Sequence, residues 1–444
     1  MTKCRLFTLF ASLILLIIPV ASKTVYDTKD GNMAELFRHG KAKYVLKCRH
    51  HFVDTLIVPA GSELKFEGGA LSGPVVFANT LLSGNVNLKG SSISGYVMNS
   101  RFDASWLCAM DGVTDDAPRI NEMIEVCGKV FFPKGNYRLI SAFNPLRKLP
   151  KELYSSAQGH IAICKSNVTL EGEQGATFIT DQPLITLSVF SQPCDIENSI
   201  GNIRIKNITF EVHNDGVNFH EFMHTIKTMG VNGMVIENCS FKDFWGDAIC
   251  LSHYGDTPQT GERTRNQNIR ILNNTITGEK HHSNRNGISV INGKNILIKG
   301  NTIRNTSRKD MPGGIDVEPN NSAYTIENIR IENNVLERIQ GSGGAICIVI
   351  FDGGPAHGIS IINNTISASN NGLLLNVKTE NTSDNFVIKD NFIASDTHPI
   401  RFTGSGKSTG WIISGNTFER PFKQNIPGDI KVDNLVVKNN KKKD

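Results

Sequence analysis

The chain has no glycine-rich loop that could cradle a phosphate; the one candidate, Phe351-Asp352-Gly353-Gly354, reads as a turn that reverses the chain. Its nine cysteines (Cys4, Cys48, Cys108, Cys127, Cys164, Cys194, Cys239, Cys250, Cys347) form no pairs at metal-ligand spacing. They read as small buried apolar residues, with one or two bridges left open in the N-terminal half. His50-His51 and His281-His282 each want a third ligand, so no resident metal is expected. Net charge is missing too. The formal +5 is carried by Lys3 and Arg5 at one end and by residues 438–444 at the other, where four lysines face one aspartate. The balanced remainder gives no reason for a nucleic-acid partner.

No ten-residue helical stripe separates the apolar phrases between Ile203 and Lys438. What fills that region is one repeated unit, apolar-x-apolar-x-x-Asn-x-apolar, first seen complete as Ile269-Arg270-Ile271-Leu272-Asn273-Asn274-Thr275-Ile276. It returns at Ile296 to Ile303, Ile329 to Leu336, Ile359 to Ile366, Phe386 to Ile393 and Trp411 to Phe418. The fixed asparagines, Asn274, Asn301, Asn334, Asn364, Asn391 and Asn416, stand 25 to 33 residues apart, a solenoid period. Alternating apolar residues mean short strands with one face inward. The expected fold is all-β, a single-stranded right-handed parallel β-helix, with the asparagines stacked at a corner where their backbone adopts the left-handed conformation.

Lys3 and Arg5, the apolar run Leu6 to Val20 and then Ala21-Ser22 read as a signal peptide over residues 1–22, too short for a membrane span. No cysteine directly follows the run, so the mature chain is expected to be exported without a lipid anchor, to the periplasm or the medium. Residues 23–102, rich in glycine and short apolar runs, form an N-terminal β cap section or an irregular first part of the solenoid. Residues 103–438 are the β-helix and 439–444 a basic tail.

Two stretches, Asp111-Gly112-Val113-Thr114-Asp115-Asp116-Ala117-Pro118-Arg119-Ile120 and Gly128 to Leu139, resemble the entrance of the pectate-lyase-like β-helix superfamily, which includes polygalacturonases and phage tailspike depolymerases. The resemblance covers roughly Trp106 to Asn439. It implies a cap helix leading into the first strand, with Asp115 and Asp116 structural at its N-terminus. The polygalacturonase site is not reproduced. His224, Gly246-Asp247-Ala248 and Arg285-Asn286-Gly287 stand where that family has Asn-Thr-Asp, Gly-Asp-Asp and Gly-His-Gly, and Asp316-Val317-Glu318 replaces its uronate-gripping Arg-Ile-Lys.

A second strand in each coil aligns by the Ile that follows a small residue. This puts Ile226, Ile249, Ile288, Ile315 and Ile346 inward and Lys227, Cys250, Ser289, Asp316 and Cys347 in one outward column. Cys250 and Cys347, three coils apart, are expected to be free thiols. Asp316 and Glu318 share this face with Asp247 two rows below. Carboxyl groups at such spacing suit an acid and a base for glycoside hydrolysis, and Gly313-Gly314 leave the approach open. Trp245, His253 and Tyr254 offer a sugar platform, and His224, Lys227, Arg285 and Asn286 polar contacts.

The leading expectation is an exported polysaccharide-degrading glycoside hydrolase with Asp316, Glu318 and Asp247 as catalytic candidates, acting on a polysaccharide or oligosaccharide without a cofactor. Two alternatives use the same face. One is a uronate lyase or C5-epimerase, with Lys227, Arg285, His253 or Tyr254 as base or acid and Ca²⁺ on Asp316 and Glu318. The other is a non-catalytic glycan-binding surface protein, which the lack of adhesion repeats disfavours.

Overall fold

A computed structural model describes residues 23–28, 32–143, 158–191, 199–253, 255, 257–279, 284–350, 354–377, 383–421 and 430–443. The expected leader 1–22 lies outside them, and so do Tyr254, His281, His282, Cys4, Cys194 and residues 351–353 of the expected turn. No helix of the described residues is long and apolar enough to cross a membrane.

The repeated unit folds as two short strands joined by a sharp corner, and a third strand completes each coil. Three parallel sheets result, of fifteen, twelve and nine strands among the described residues. Register follows the apolar positions. Ile269, Ile296, Ile329 and Ile359 stack on the first sheet. Ile276, Ile303, Leu336, Ile366, Ile393 and Phe418 stack on the second. Ile249, Ile288, Ile315, Ile346, Leu373 and Ile400 stack on the third. All are buried in one continuous apolar core. Each such side chain stabilises the coil by about 1.5–3 kcal/mol through burial, and a slip of one residue would turn the whole set outward.

The asparagine ladder is buried and hydrogen-bonded throughout. Asn334 shows the pattern. Its Oδ1 accepts from Asn301 N at 2.9 Å and Asn301 Nδ2 at 3.0 Å. Its own Nδ2 donates to Ile298 O and Asn364 Oδ1, each at 3.0 Å. The expectation about the backbone needs correcting. The left-handed residue is the one before each ladder asparagine, namely Asn273, Gly300, Asn333, Asn363, Asp390 and Gly415. That residue makes the bend, which frees the ladder side chain to point inward along the axis. The ladder also runs past the expected boundary at 438. Asn416 N donates to Asn440 Oδ1 at 3.0 Å, and Lys441 and Lys442 pair with Thr417 and Phe418, so the basic tail forms the last rung.

The section before residue 102 is built the same way on a shorter coil. Thr24, Lys43, Glu63 and Leu81 pair in parallel in turn, a repeat of eighteen to twenty residues. Its Val25, Tyr44, Leu64 and Leu82 join the same core as the main helix. It is therefore the first part of the solenoid rather than a separate cap.

The helix Ala117–Cys127 lies where the first strand of the third sheet, Gly159–Ile163, would otherwise present an open edge. Pro118 suits its first turn, and Gly128, left-handed at φ 73°, ends it. Asn121 takes the part of a neighbouring strand, donating to His160 O at 2.8 Å and accepting from Ala162 N at 2.9 Å. Asp115 is structural as expected, accepting from Ala117, Ile140 and Ser141 N–H groups. Asp116 turns back to the Ala109 and Met110 amides.

Candidate active site

The outward column of the third sheet has the register read from the sequence: Lys227, Cys250, Ser289, Asp316 and Cys347 are successive partners. Its environment differs. The expected open face is covered, and all five side chains are buried. The loops that enter and leave these strands fold over them. On one border Arg285 and Asn286 reach across the face. On the other, Ala323 and Tyr324 pack over Cys250 and Ile291, with the Tyr324 ring 4.1 Å from that of His253, and the helix Pro258–Arg263 lies against Ala323.

The glycines also change meaning. A Cβ on Gly313 would sit 1.7 Å from Gly344 O, and one on Gly314 would sit 3.0 Å from Ala345 O. Close passage of the next coil requires them, so they do not open a path for substrate.

At the centre is one guanidinium among four carboxylates. Arg285 Nη1 donates to both oxygens of Asp247, at 3.1 and 3.3 Å. Nη2 lies 3.6 Å from Glu318 Oε2 and 3.9 Å from Asp316 Oδ2, and Nε lies 3.5 Å from Glu221 Oε1. Burial works against the charge on Arg285, yet Asp247 and Asp316 together hold it above its ordinary range.

Asn286 fixes the two buried aspartates relative to each other. Its N–H donates to Asp247 Oδ1 at 2.9 Å, its Nδ2 to Ser289 Oγ at 3.0 Å and Asp316 Oδ2 at 3.2 Å, and its Oδ1 accepts from Gly313 N at 3.0 Å. Asp316 Oδ1 is buried and has no hydrogen-bond partner among the described residues. Burial first, and the Glu318 charge next, push the Asp316 carboxyl well above the usual carboxylate range. Glu318 is also raised by burial, with Arg285 opposing the shift. It lies just past the strand end, where its side chain keeps 15% of its exposure.

Other expected contacts take different places. Trp245 is buried, its ring edge-on to His220 at 4.9 Å, so it is not a platform open to sugar. His224 is buried, its Nδ1 accepts the Asp247 N–H at 3.0 Å, and burial lowers its pKa to about 3. Lys227 is buried with its pKa lowered by the same cause. Arg285 is hydrogen-bonded only through Nη1, to Asp247; its Nη2 and its buried Nε face the other three carboxylates at ion-pair distance, so its charge is shared among acids already in place. Glu221 was not anticipated; it lies in a polar stretch with no periodicity to single it out.

His224, Asp247 and Cys250 place a nitrogen, an oxygen and a sulfur within 4.8 Å of one another. The nitrogen and both oxygens already have partners in Asp247 N, Asn286 and Arg285. An ion there would have to displace the guanidinium. On Asp316 and Glu318, where the lyase alternative needs Ca²⁺, the same guanidinium is the cation in place. Cys250 and Cys347 are free thiols, as expected from their column positions.

Residues 196–388 match the family model described as the right handed beta helix region. No curated protein matches the chain. Among solved structures it is similar to the A-module of mannuronan C-5 epimerase AlgE6 from Azotobacter vinelandii, at 14% identity over 77% of this chain and 98% of that one, TM-score 0.37. It is similar to PfbA, a surface adhesin of Streptococcus pneumoniae, at 15% over 77% and 91%, TM-score 0.37. A third is the catalytic unit of a GH87 alpha-1,3-glucanase from Streptomyces thermodiastaticus, at 13% over 95% and 69%, TM-score 0.40. The chain is a right-handed parallel β-helix protein, and its own ladders and the matched region 196–388 establish that fold.

Proposed function

We propose that the exported chain is a polysaccharide-degrading glycoside hydrolase in which Asp316 donates the proton to the leaving oxygen and Glu318 acts as its carboxylate partner. The carrying observation is the buried Oδ1 of Asp316, which no ordinary donor of the described residues reaches, in a carboxyl that pairs by hydrogen bond with Glu318. A buried carboxyl oxygen without a donor favours the protonated acid, and an acid kept protonated next to a second carboxylate is the pairing that glycosidic cleavage needs. Asp247, held by Arg285 and Asn286, orients Arg285 rather than meeting substrate. For a sugar to reach Asp316, the covering side chains must give way, Arg285 first. The leader supports export, and a glycan outside the cell is then the substrate to hand.

A uronate lyase or C5-epimerase remains the second reading, favoured by Lys227. This buried lysine has its pKa lowered by burial, as a base would require. Incubation with a panel of polysaccharides separates the two. Hydrolysis gives reducing ends without ultraviolet absorbance, a lyase gives both, and an epimerase gives neither but changes the uronate composition of the polymer. Absorbance rising with the reducing ends would replace the first reading by the second.

A further inference from the structure

We infer that this site takes uncharged sugars and turns away polyuronates. The inference rests on the hydrolase reading for its location and concerns what that location admits. A uronate site needs a cation free to meet the substrate carboxylate. Among the described residues the cation in ion-pair reach of Asp316 is Arg285, which already faces Glu221, Asp247, Asp316 and Glu318. Lys227 is buried three rungs away in the column, roughly 14 Å at the usual strand spacing. Among the described residues, four carboxyl groups surround this one guanidinium.

Within the cluster itself the acids are the more exposed groups. Glu221 keeps 41% of its side-chain exposure and Glu318 15%, against 11% for Arg285. The nearby rim cation Arg308 is also occupied, bonded to Asp310 at 2.9 and 3.1 Å and lying over the Phe219 ring at 4.3 Å. A carboxylate brought to this entrance meets like charge, which costs binding.

A second, independent observation comes from the loop that carries Glu221. Phe222 is 66% exposed and Val217 82%, two apolar side chains left in water within six residues of each other. An exposed aromatic ring beside hydrogen-bonding groups suits the apolar face of a neutral pyranose, which stacks without any charge.

The test uses full-length Asp316→Asn, which holds bound polymer without turnover, in affinity electrophoresis. The probes are xylan, mannan, arabinan, α-glucan and β-glucan on one side and polygalacturonate and alginate on the other. At least one neutral polymer should retard the protein, with little dependence on salt, and the uronates should bind at least about tenfold more weakly even at low ionic strength. Glu221→Gln should narrow that gap. Stronger retention by a uronate, or no retention by any neutral polymer, would overturn the inference. Wild-type turnover of the retained polymer is scored separately: neutral binding without release of reducing ends leaves the selectivity standing and removes the hydrolase reading.

Discussion

Two lines of residues run along this solenoid, each contributing one side chain per coil, and they differ in almost everything else. The ladder at the corner, from Asn274 to Asn416, repeats a single neutral side chain in which every amide bonds to the next. The column on the third sheet reads Lys227, Cys250, Ser289, Asp316, Cys347 and never repeats. Where the ladder satisfies its polar atoms, the column leaves Asp316 Oδ1 without a partner. Self-complementary repetition is what a stack of coils needs for stability. Buried charge without repetition is costly to the fold, and its placement among acids marks a site of chemistry.

The contrast can be broken most severely at its electrostatic centre. Arg285→Ala removes the guanidinium that Asp247, Asp316, Glu318 and Glu221 share. It should destabilise the protein by about 3–5 kcal/mol, because buried carboxylates are left uncompensated. Denaturant unfolding of the variant would show this as a lower midpoint at unchanged slope. A loss under 1 kcal/mol would mean that the cluster is solvated rather than buried.

Asn334→Ala strikes the ladder. It orphans Asn301 N and Ile298 O and should cost about 1–3 kcal/mol. Turnover per folded molecule should stay as in the wild type. A fall in activity with no shift in the melting temperature would contradict the structural role of the ladder.

The pH dependence of stability also separates the two lines, because the ladder carries no titrating group and the column with its neighbours does. Asp316 keeps its proton in the folded chain above the ordinary value of 3.8, so as pH rises past that value the unfolded chain sheds a proton that the native state retains. Native stability falls accordingly, until the native carboxyl also ionises. His224 works in the opposite direction. Its folded pKa of about 3 lies below 6.5, so stability is lost as pH drops through that interval. Asp316→Asn should therefore gain stability relative to the wild type as pH rises from about 4 to about 7, while the deficit of Asn334→Ala stays constant. Melting temperatures across that range decide it; parallel curves for all three proteins would remove the claim of a retained proton.

The two lines were not equally legible in the sequence. The ladder announces itself, because a period-two pattern and a recurring asparagine are local signals. The register of the column was legible as well, since small residues followed by Ile align one coil with the next. Burial of the column was not. It depends on Arg285, Asn286 and Tyr324 folding over strands distant in sequence, and nothing local to Asp316 indicates its cover. Gly313-Gly314 misled for the same reason, since the carbonyl of Gly344 that requires a glycine belongs to the next coil. The left-handed corner was placed one residue late because asparagine occupies both the bend and the ladder in several repeats, while Gly300 and Gly415 mark the bend unambiguously.

The most direct test of the central claim is the rate of reducing-end release from the best polysaccharide substrate, compared among wild type, Asp316→Asn and Glu318→Gln at equal concentrations of folded protein. Each substitution should lower turnover by at least about 10²-fold, as loss of a general acid or base does. Near-normal rates in both variants would contradict the account and move the chemistry away from this column.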